Sequence, residues 1–226
     1  MSESNELPEA PAVAREVFPG EALERATAFA ELLAGPGVVR GLLGPREVPR
    51  IWDRHLLNCA VVAEAIAPKA SVVDIGSGAG LPGIVLAIVR PDIRVTLLEP
   101  LLRRTVFLAE CVEELALPNA EVLRGRAEEL ARTKTFDVAT ARAVAPLDRL
   151  LAWSLPLLRE GGELLAMKGE RAAEEIEAAR DQIKAAGVRE VELVAVGRGK
   201  VDPPATLVRV VAGRPPESGT RRRRKR

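Results

Sequence analysis

Apolar positions recur along this chain at two spacings, and the change from one to the other divides it. Over 21–33 the residues Leu23, Ala26, Phe29, Ala30 and Leu33 return at helical spacing, and Gly35-Pro36-Gly37 is expected to stop that helix. A second helical region spans 47–67, with Trp52, Leu56, Ala60 and Ala63 on one stripe. These predict a helical N-terminal cap over 21–67, preceded by a flexible acidic lead over 1–20 whose first twelve residues read as frayed. After Pro68 short β-branched runs alternate with long helical patterns. Strands are expected over 72–75, 93–98, 120–123, 136–140 and 163–167, and helices over 82–90, 102–117, 146–158 and 171–186. The runs 188–196 and 206–211 follow without an intervening helix, which predicts an antiparallel hairpin at a sheet edge. The alternation implies an α/β fold, a mostly parallel, doubly wound sheet covered on both faces and contained in one domain over 68–212.

Composition narrows this picture. At roughly 150 residues per domain, 226 residues make one domain with an extension, and 47% apolar with 29% charged residues exclude a fully disordered chain. The longest apolar stretch, 81–89, is far below the roughly 20 residues of a membrane span, so no membrane association is expected. The first twelve residues hold three glutamates and two prolines, unlike a secretory signal. Cys59 and Cys111 are too few for a disulfide framework or a four-ligand zinc site, so no metal and a reducing, cytoplasmic setting are expected. Net charge is uneven: residues 213–226 carry +6, leaving −5 for the rest. A cationic, disordered tail that includes Arg221, Arg222, Arg223 and Arg224 points to an anionic partner, nucleic acid first.

The strongest chemical signal is Asp74-Ile75-Gly76-Ser77-Gly78-Ala79-Gly80-Leu81-Pro82-Gly83, a glycine-rich turn between strand and helix. Glycines there permit positive φ and let a ligand approach the backbone. Gly78 to Gly83 satisfies the dinucleotide pattern G-x-G-x-x-G. Asp74 at the strand tip, however, opens Asp-x-Gly-x-Gly-x-Gly, the pattern of S-adenosylmethionine (SAM) enzymes. Glu99, 25 residues later, ends the second strand, where a carboxylate can accept from two ribose hydroxyls of either cofactor. Later strands end on bases: Arg124 and Arg126, Arg142, then Lys168, with Arg103 and Arg104 opening the second helix. Acids first and bases after suit a cationic cofactor beside a polyanionic substrate.

Other features read as structural. Both cysteines lie on helical stripes, away from strand tips, and His55 reads as a satisfied histidine rather than a base. Asp202-Pro203-Pro204-Ala205 lacks the aromatic of amino-methylating enzymes and is expected to be the loop between the last two strands. With no tyrosine, two tryptophans and four phenylalanines, stacking platforms for single-stranded nucleic acid are scarce.

Trp52-Asp53-Arg54-His55-Leu56-Leu57, the glycine loop, Arg126-Ala127-Glu128, Arg142-Ala143 and Met167-Lys168-Gly169-Glu170 resemble the RsmG family, formerly glucose-inhibited division protein B. Its members are bacterial methyltransferases of a guanine N7 in 16S ribosomal RNA. The resemblance spans about residues 22–212. It implies a class I SAM-dependent fold of seven strands, the last antiparallel, with SAM as cofactor and 16S RNA or the small ribosomal subunit as partner. By the same resemblance Gly76 and Leu81 line the cofactor; Asp74, Gly78 and Gly80 of the loop and Glu99 after it are expected to bind it from the glycine-loop reading itself. Ala127 and Glu128 approach its adenine, Arg142 lies between cofactor and substrate, and Lys168 contacts RNA. Asn58-Cys59 departs from the Asp-Ser of many members. Guanine N7 has a lone pair and no proton, so no general base is required, and a monomer is expected. Competing readings are a SAM methyltransferase of another RNA site or small molecule, and a noncatalytic RNA-binding assembly factor.

Overall fold

The computed structural model describes residues 6–131 and 133–213. The Arg221 to Arg224 run therefore lies outside the described residues. Seven strands form one sheet in the order β3-β2-β1-β4-β5-β7-β6. They are β1 (Ser71–Ile75), β2 (Arg94–Glu99), β3 (Ala120–Arg124), β4 (Phe136–Arg142), β5 (Leu158–Lys168), β6 (Glu190–Val196) and β7 (Ala205–Val211). All neighbours through β5 pair in parallel; β7 runs antiparallel between β5 and β6. The expected edge hairpin is present, and Asp202 to Pro204 end the loop, residues 197–204, that joins its strands.

Alternate strand residues serve two cores. Val72, Leu97, Val138, Leu165 and Leu207 face one, while Val73, Leu98, Ala139, Leu164 and Val208 face the other. The first core also takes α2 (Glu21–Leu32), α4 (Gly83–Val89) and α5 (Leu102–Glu114); α1 (Ala14–Val17) and α3 (Asn58–Ala60) complete the cap on that face. The second takes α6 (Ala127–Leu130), α7 (Leu147–Ser154) and α8 (Ala172–Ala178), with α9 (Arg180–Ala185) following. Burial on both faces is why the strands read as continuous apolar runs. No helix among the described residues is long and apolar enough to cross a membrane.

Several boundaries differ from the expectation, each for a local reason. Gly35-Pro36-Gly37 does not stop the helix: the chain widens into a π turn over Leu33–Gly37, which accommodates a proline without an N–H, and then resumes. The 47–67 region is built mainly of 3-10 and π turns, with Pro49 inside the first. The long helix expected over 171–186 breaks at Ala179, and β5 begins at Leu158 rather than 163. Helix α6 was not foreseen. Within the stretch read as a flexible lead, Ala14 and Phe18 are fully buried, and the Pro8 carbonyl accepts from Trp52 Nε1 at 3.1 Å.

The strand ends set up the site. β1 pairs with β2 on one side and β4 on the other, so the strand order reverses there, and Ile75, Glu99, Arg124, Arg142 and Lys168 reach one sheet edge. An open α/β sheet binds its ligand in the crevice at such a reversal.

Candidate active site

The turn leaving β1 holds Gly76 at φ +68° and Gly78 at φ +57°, a left-handed conformation that glycine adopts freely. The Gly76 and Ser77 N–H groups donate to the Leu98 carbonyl at 2.8 and 3.2 Å, tying the turn to β2. A Cβ on Gly76 would come within 3.0 Å of both Val144 methyl groups. Glu99 is buried at the tip of β2. Its Oε2 accepts from the Gly78 N–H at 3.1 Å and its Oε1 from the Leu101 N–H at 3.0 Å, with Arg104 at 3.5 Å. Each carboxylate oxygen keeps a further lone pair for a ligand hydroxyl.

These groups border a cavity of about 720 Å³. Gly76, Gly78, Leu81, Glu99, Ala127, Glu128 and Arg142 all line it. Asp74 and Gly80, expected at the cofactor, are not among its lining residues. Asp74 Oδ2 accepts from the Gly83 N–H at 3.1 Å and Oδ1 from the Thr140 hydroxyl at 3.3 Å, so this carboxyl fastens the start of α4 to the sheet. Burial pushes its pKa up to about 6. At Gly80 a Cβ would strike Ile84 at 2.5 Å, so close packing explains that glycine.

The cavity also takes Arg126, Trp153 and, from the cap, Leu43 and His55. Arg126 and His55 stood in the motifs that carried the family resemblance. Trp153 and Leu43 had no signal, because only folding brings α7 and the cap to the β1 turn. Arg104, expected on the RNA side, lines this cavity beside Glu99. Arg103 and Arg124 are exposed and line neither this cavity nor its neighbour.

That neighbour, about 630 Å³, shares Arg142, Ala143 and Val144 with the first and is walled by Arg54, Asn58, Lys168 and Glu175. Ala143 lies at φ +53°, an uncommon conformation for a residue with a Cβ and one often found at functional turns. Lys168 donates to the Ala145 carbonyl at 2.8 Å and to Glu175 at 2.7 Å, so its ammonium is anchored.

Arg142 stands at the junction. Its guanidinium donates to His55 Nδ1 at 2.7 Å, to the Arg54 carbonyl at 3.3 Å and to Cys59 Sγ at 3.3 Å. His55 Nε2 lies 2.8 Å from Glu47 Oε2. Arginine is always a donor and a carboxylate an acceptor, so the ring is the neutral Nε2–H tautomer. Burial and the Arg142 charge bring the His55 pKa down to about 4, and burial pushes the Cys59 thiol up. Neither residue is a ready base or nucleophile, in line with the sequence reading.

The family model described as rRNA small subunit methyltransferase G matches residues 22–202. Ribosomal RNA small subunit methyltransferase G of Thermobifida fusca is 61% identical over 208 residues, covering 92% of this chain and 87% of that protein. The protein of the same name from Streptomyces avermitilis is 56% identical, covering 96% and 91%. Among solved structures, a SAM-dependent O-methyltransferase from Thermotoga maritima superposes with a TM-score of 0.52 at 12% identity, covering 70% of this chain and 66% of that one. Precorrin-6y C5,15-methyltransferase from Geobacter metallireducens gives 0.51 at 17% identity, covering 76% and 91%. These likenesses establish a class I SAM-dependent methyltransferase fold, and the sequence matches show that the chain belongs to the rRNA small subunit methyltransferase G family.

Proposed function

We propose that this protein methylates N7 of one guanine in 16S ribosomal RNA, with SAM in the 720 Å³ cavity and the base in the adjoining 630 Å³ cavity. The observation that carries the reading is the meeting of the two cavities at Arg142, Ala143 and Val144 in a chain of this family. The residues fit SAM. Glu99 presents acceptors to a ribose diol, Ala127 leaves room for a flat adenine beside Glu128, and the Gly76 turn keeps its backbone open.

Bound SAM supplies a sulfonium methyl group, the electrophile. Guanine N7 has a lone pair and no proton, so the chain must orient the base and exclude water, with no proton to remove. The engagement of both His55 nitrogens agrees with a mechanism without a general base. Arg142 donates to three neutral partners and keeps its charge for a ligand carboxylate, a phosphate or guanine O6. In the second cavity, the buried Asn58 Oδ1 has no hydrogen-bond partner, which suits it to accept from a base N–H. Arg54 and Lys168 supply positive charge beside it. Both cavities are lined by residues of one chain, which suits action as a monomer.

The test is mass mapping of 16S ribosomal RNA from cells with and without the protein. Loss of one methyl group from a guanine is expected. An unchanged map overturns the reading in favour of a noncatalytic assembly factor or a small-molecule enzyme, and a methyl lost at another atom overturns the N7 assignment.

A further inference from the structure

We propose that His55, held by Glu47, is a positioning residue that sets the Arg142 guanidinium at the junction of the two cavities. This rests on the reading of Arg142 given above.

The argument begins with donors. A guanidinium has five N–H groups. One terminal nitrogen of Arg142 uses both of its hydrogens, on His55 Nδ1 at 2.7 Å and the Arg54 carbonyl at 3.3 Å, and the other uses one on Cys59 Sγ at 3.3 Å. The Nε–H and one terminal N–H remain for a ligand. All three acceptors come from the N-terminal cap, more than 80 residues before Arg142, and the contact with His55 is the shortest.

The chemistry of that acceptor matters as much as its place. A carboxylate in the same position would hold the guanidinium but also neutralise it. A neutral imidazole nitrogen holds it and leaves the charge whole, which suits a group that must face an anion or an electron-rich base edge. Glu47 makes this possible from the far side of the ring: its Oε2 takes the Nε2–H at 2.8 Å, leaving Nδ1 as the acceptor. Its Oε1 lies 3.2 Å from the Arg54 guanidinium, so the same carboxylate braces the residue whose carbonyl also receives Arg142. Glu47 is half-buried, and Val48 beside it is packed in the core, which fixes this turn. The cap thus completes the site as well as covering the sheet.

The two ring nitrogens can be tested separately. Asn at position 55 places its amide oxygen where Nδ1 sits and keeps the acceptor for Arg142, whereas Gln places its amide near Nε2, reaching Glu47 and abandoning Arg142. The assay is single-turnover methylation of 16S RNA from cells lacking the enzyme, with labelled SAM at saturation, and thermal melting of each full-length variant. His55→Asn is expected within about 5-fold of wild type, and His55→Gln slower by about 30-fold or more, since small misplacements at a reacting centre reach roughly 100-fold. In an Arg142→Ala background, His55→Gln should slow the reaction no further, because residues that act through one another are not additive. Glu47→Ala, a change at a partly exposed side chain, should slow turnover about 10-fold and gives a second readout beside position 55. A wild-type rate for His55→Gln, equal losses for Asn and Gln, or full additivity with Arg142→Ala would each overturn the proposal. A wild-type rate for Arg142→Ala alone would instead overturn the underlying role of Arg142.

Discussion

Replacing Asp74 by asparagine separates a structural carboxyl from a ligand-binding one. Asp74 is 1% exposed, and its pKa is raised from 3.8 to about 6, chiefly by burial. A rise of roughly two units at 1.4 kcal/mol each means that folding disfavours the ionised form by about 3 kcal/mol. Because the folded pKa is raised, the contribution of this group is fully present below pH 3.8 and is lost as pH rises through about 6. Asparagine has the same shape and no charge: its amide oxygen can accept from the Gly83 N–H while its NH₂ donates to the Thr140 hydroxyl. Asp74→Asn should therefore be as stable as wild type at pH 8 or more stable, by up to about 3 kcal/mol. Asp74→Ala leaves both buried donors unpaired and should lose about 3 kcal/mol. His55 adds an opposing slope. Its pKa is lowered from 6.5 to about 4, so its contribution is present above pH 6.5 and lost as pH falls through 4. In wild type the two slopes largely cancel between pH 4 and 6. In Asp74→Asn the histidine slope is no longer offset, and about 3 kcal/mol more than in wild type should be lost on acidification. Urea unfolding from pH 4 to 8, with calorimetry of SAM binding at pH 8, provides the assay. SAM affinity should stay within about threefold of wild type, because Asp74 is not on the cavity wall. Loss of SAM binding in a stable Asp74→Asn protein would refute this reasoning and return the residue to the cofactor.

Gly76→Val should abolish SAM binding in calorimetry, since a Cβ would meet Val144 at 3.0 Å and φ +68° is strained for a β-branched residue. Arg142→Ala should reduce single-turnover methylation about 100-fold or more while remaining folded, and Arg142→Lys should recover little, because an ammonium lacks the planar fork. Deleting residues 214–226, which carry a net charge of +6, should lower the slope of log affinity for RNA against log salt by up to about 4 and leave SAM binding intact. An unchanged slope in a filter-binding titration would exclude a direct contact of that segment with RNA.

The sequence alone determined the succession of the seven strands, the hairpin at the edge and the strand end at which the cavity forms. Those features are local, because apolar spacing of two or near four reports which face of an element is buried, and glycine reports where a chain turns. Glu99 and Arg142 meet at the cavity because residues at consecutive strand ends converge in any sheet of this class, whereas Ala127 was reached only through the family resemblance. Tertiary structure decided how each side chain is used. Asp74 and Glu99 both end apolar strands, yet one turns down to cap α4 and the other lines the cavity, and only the packing of Gly83 and the β2 edge distinguishes them. The pairing of His55 with Arg142 crosses 87 residues and the grip of Asp74 on Thr140 crosses 66, separations over which no local pattern carries information. The same holds for the π turn at Gly35-Pro36-Gly37, where burial of Leu33 and Gly37 against the core keeps a helix running through residues that by themselves would end it.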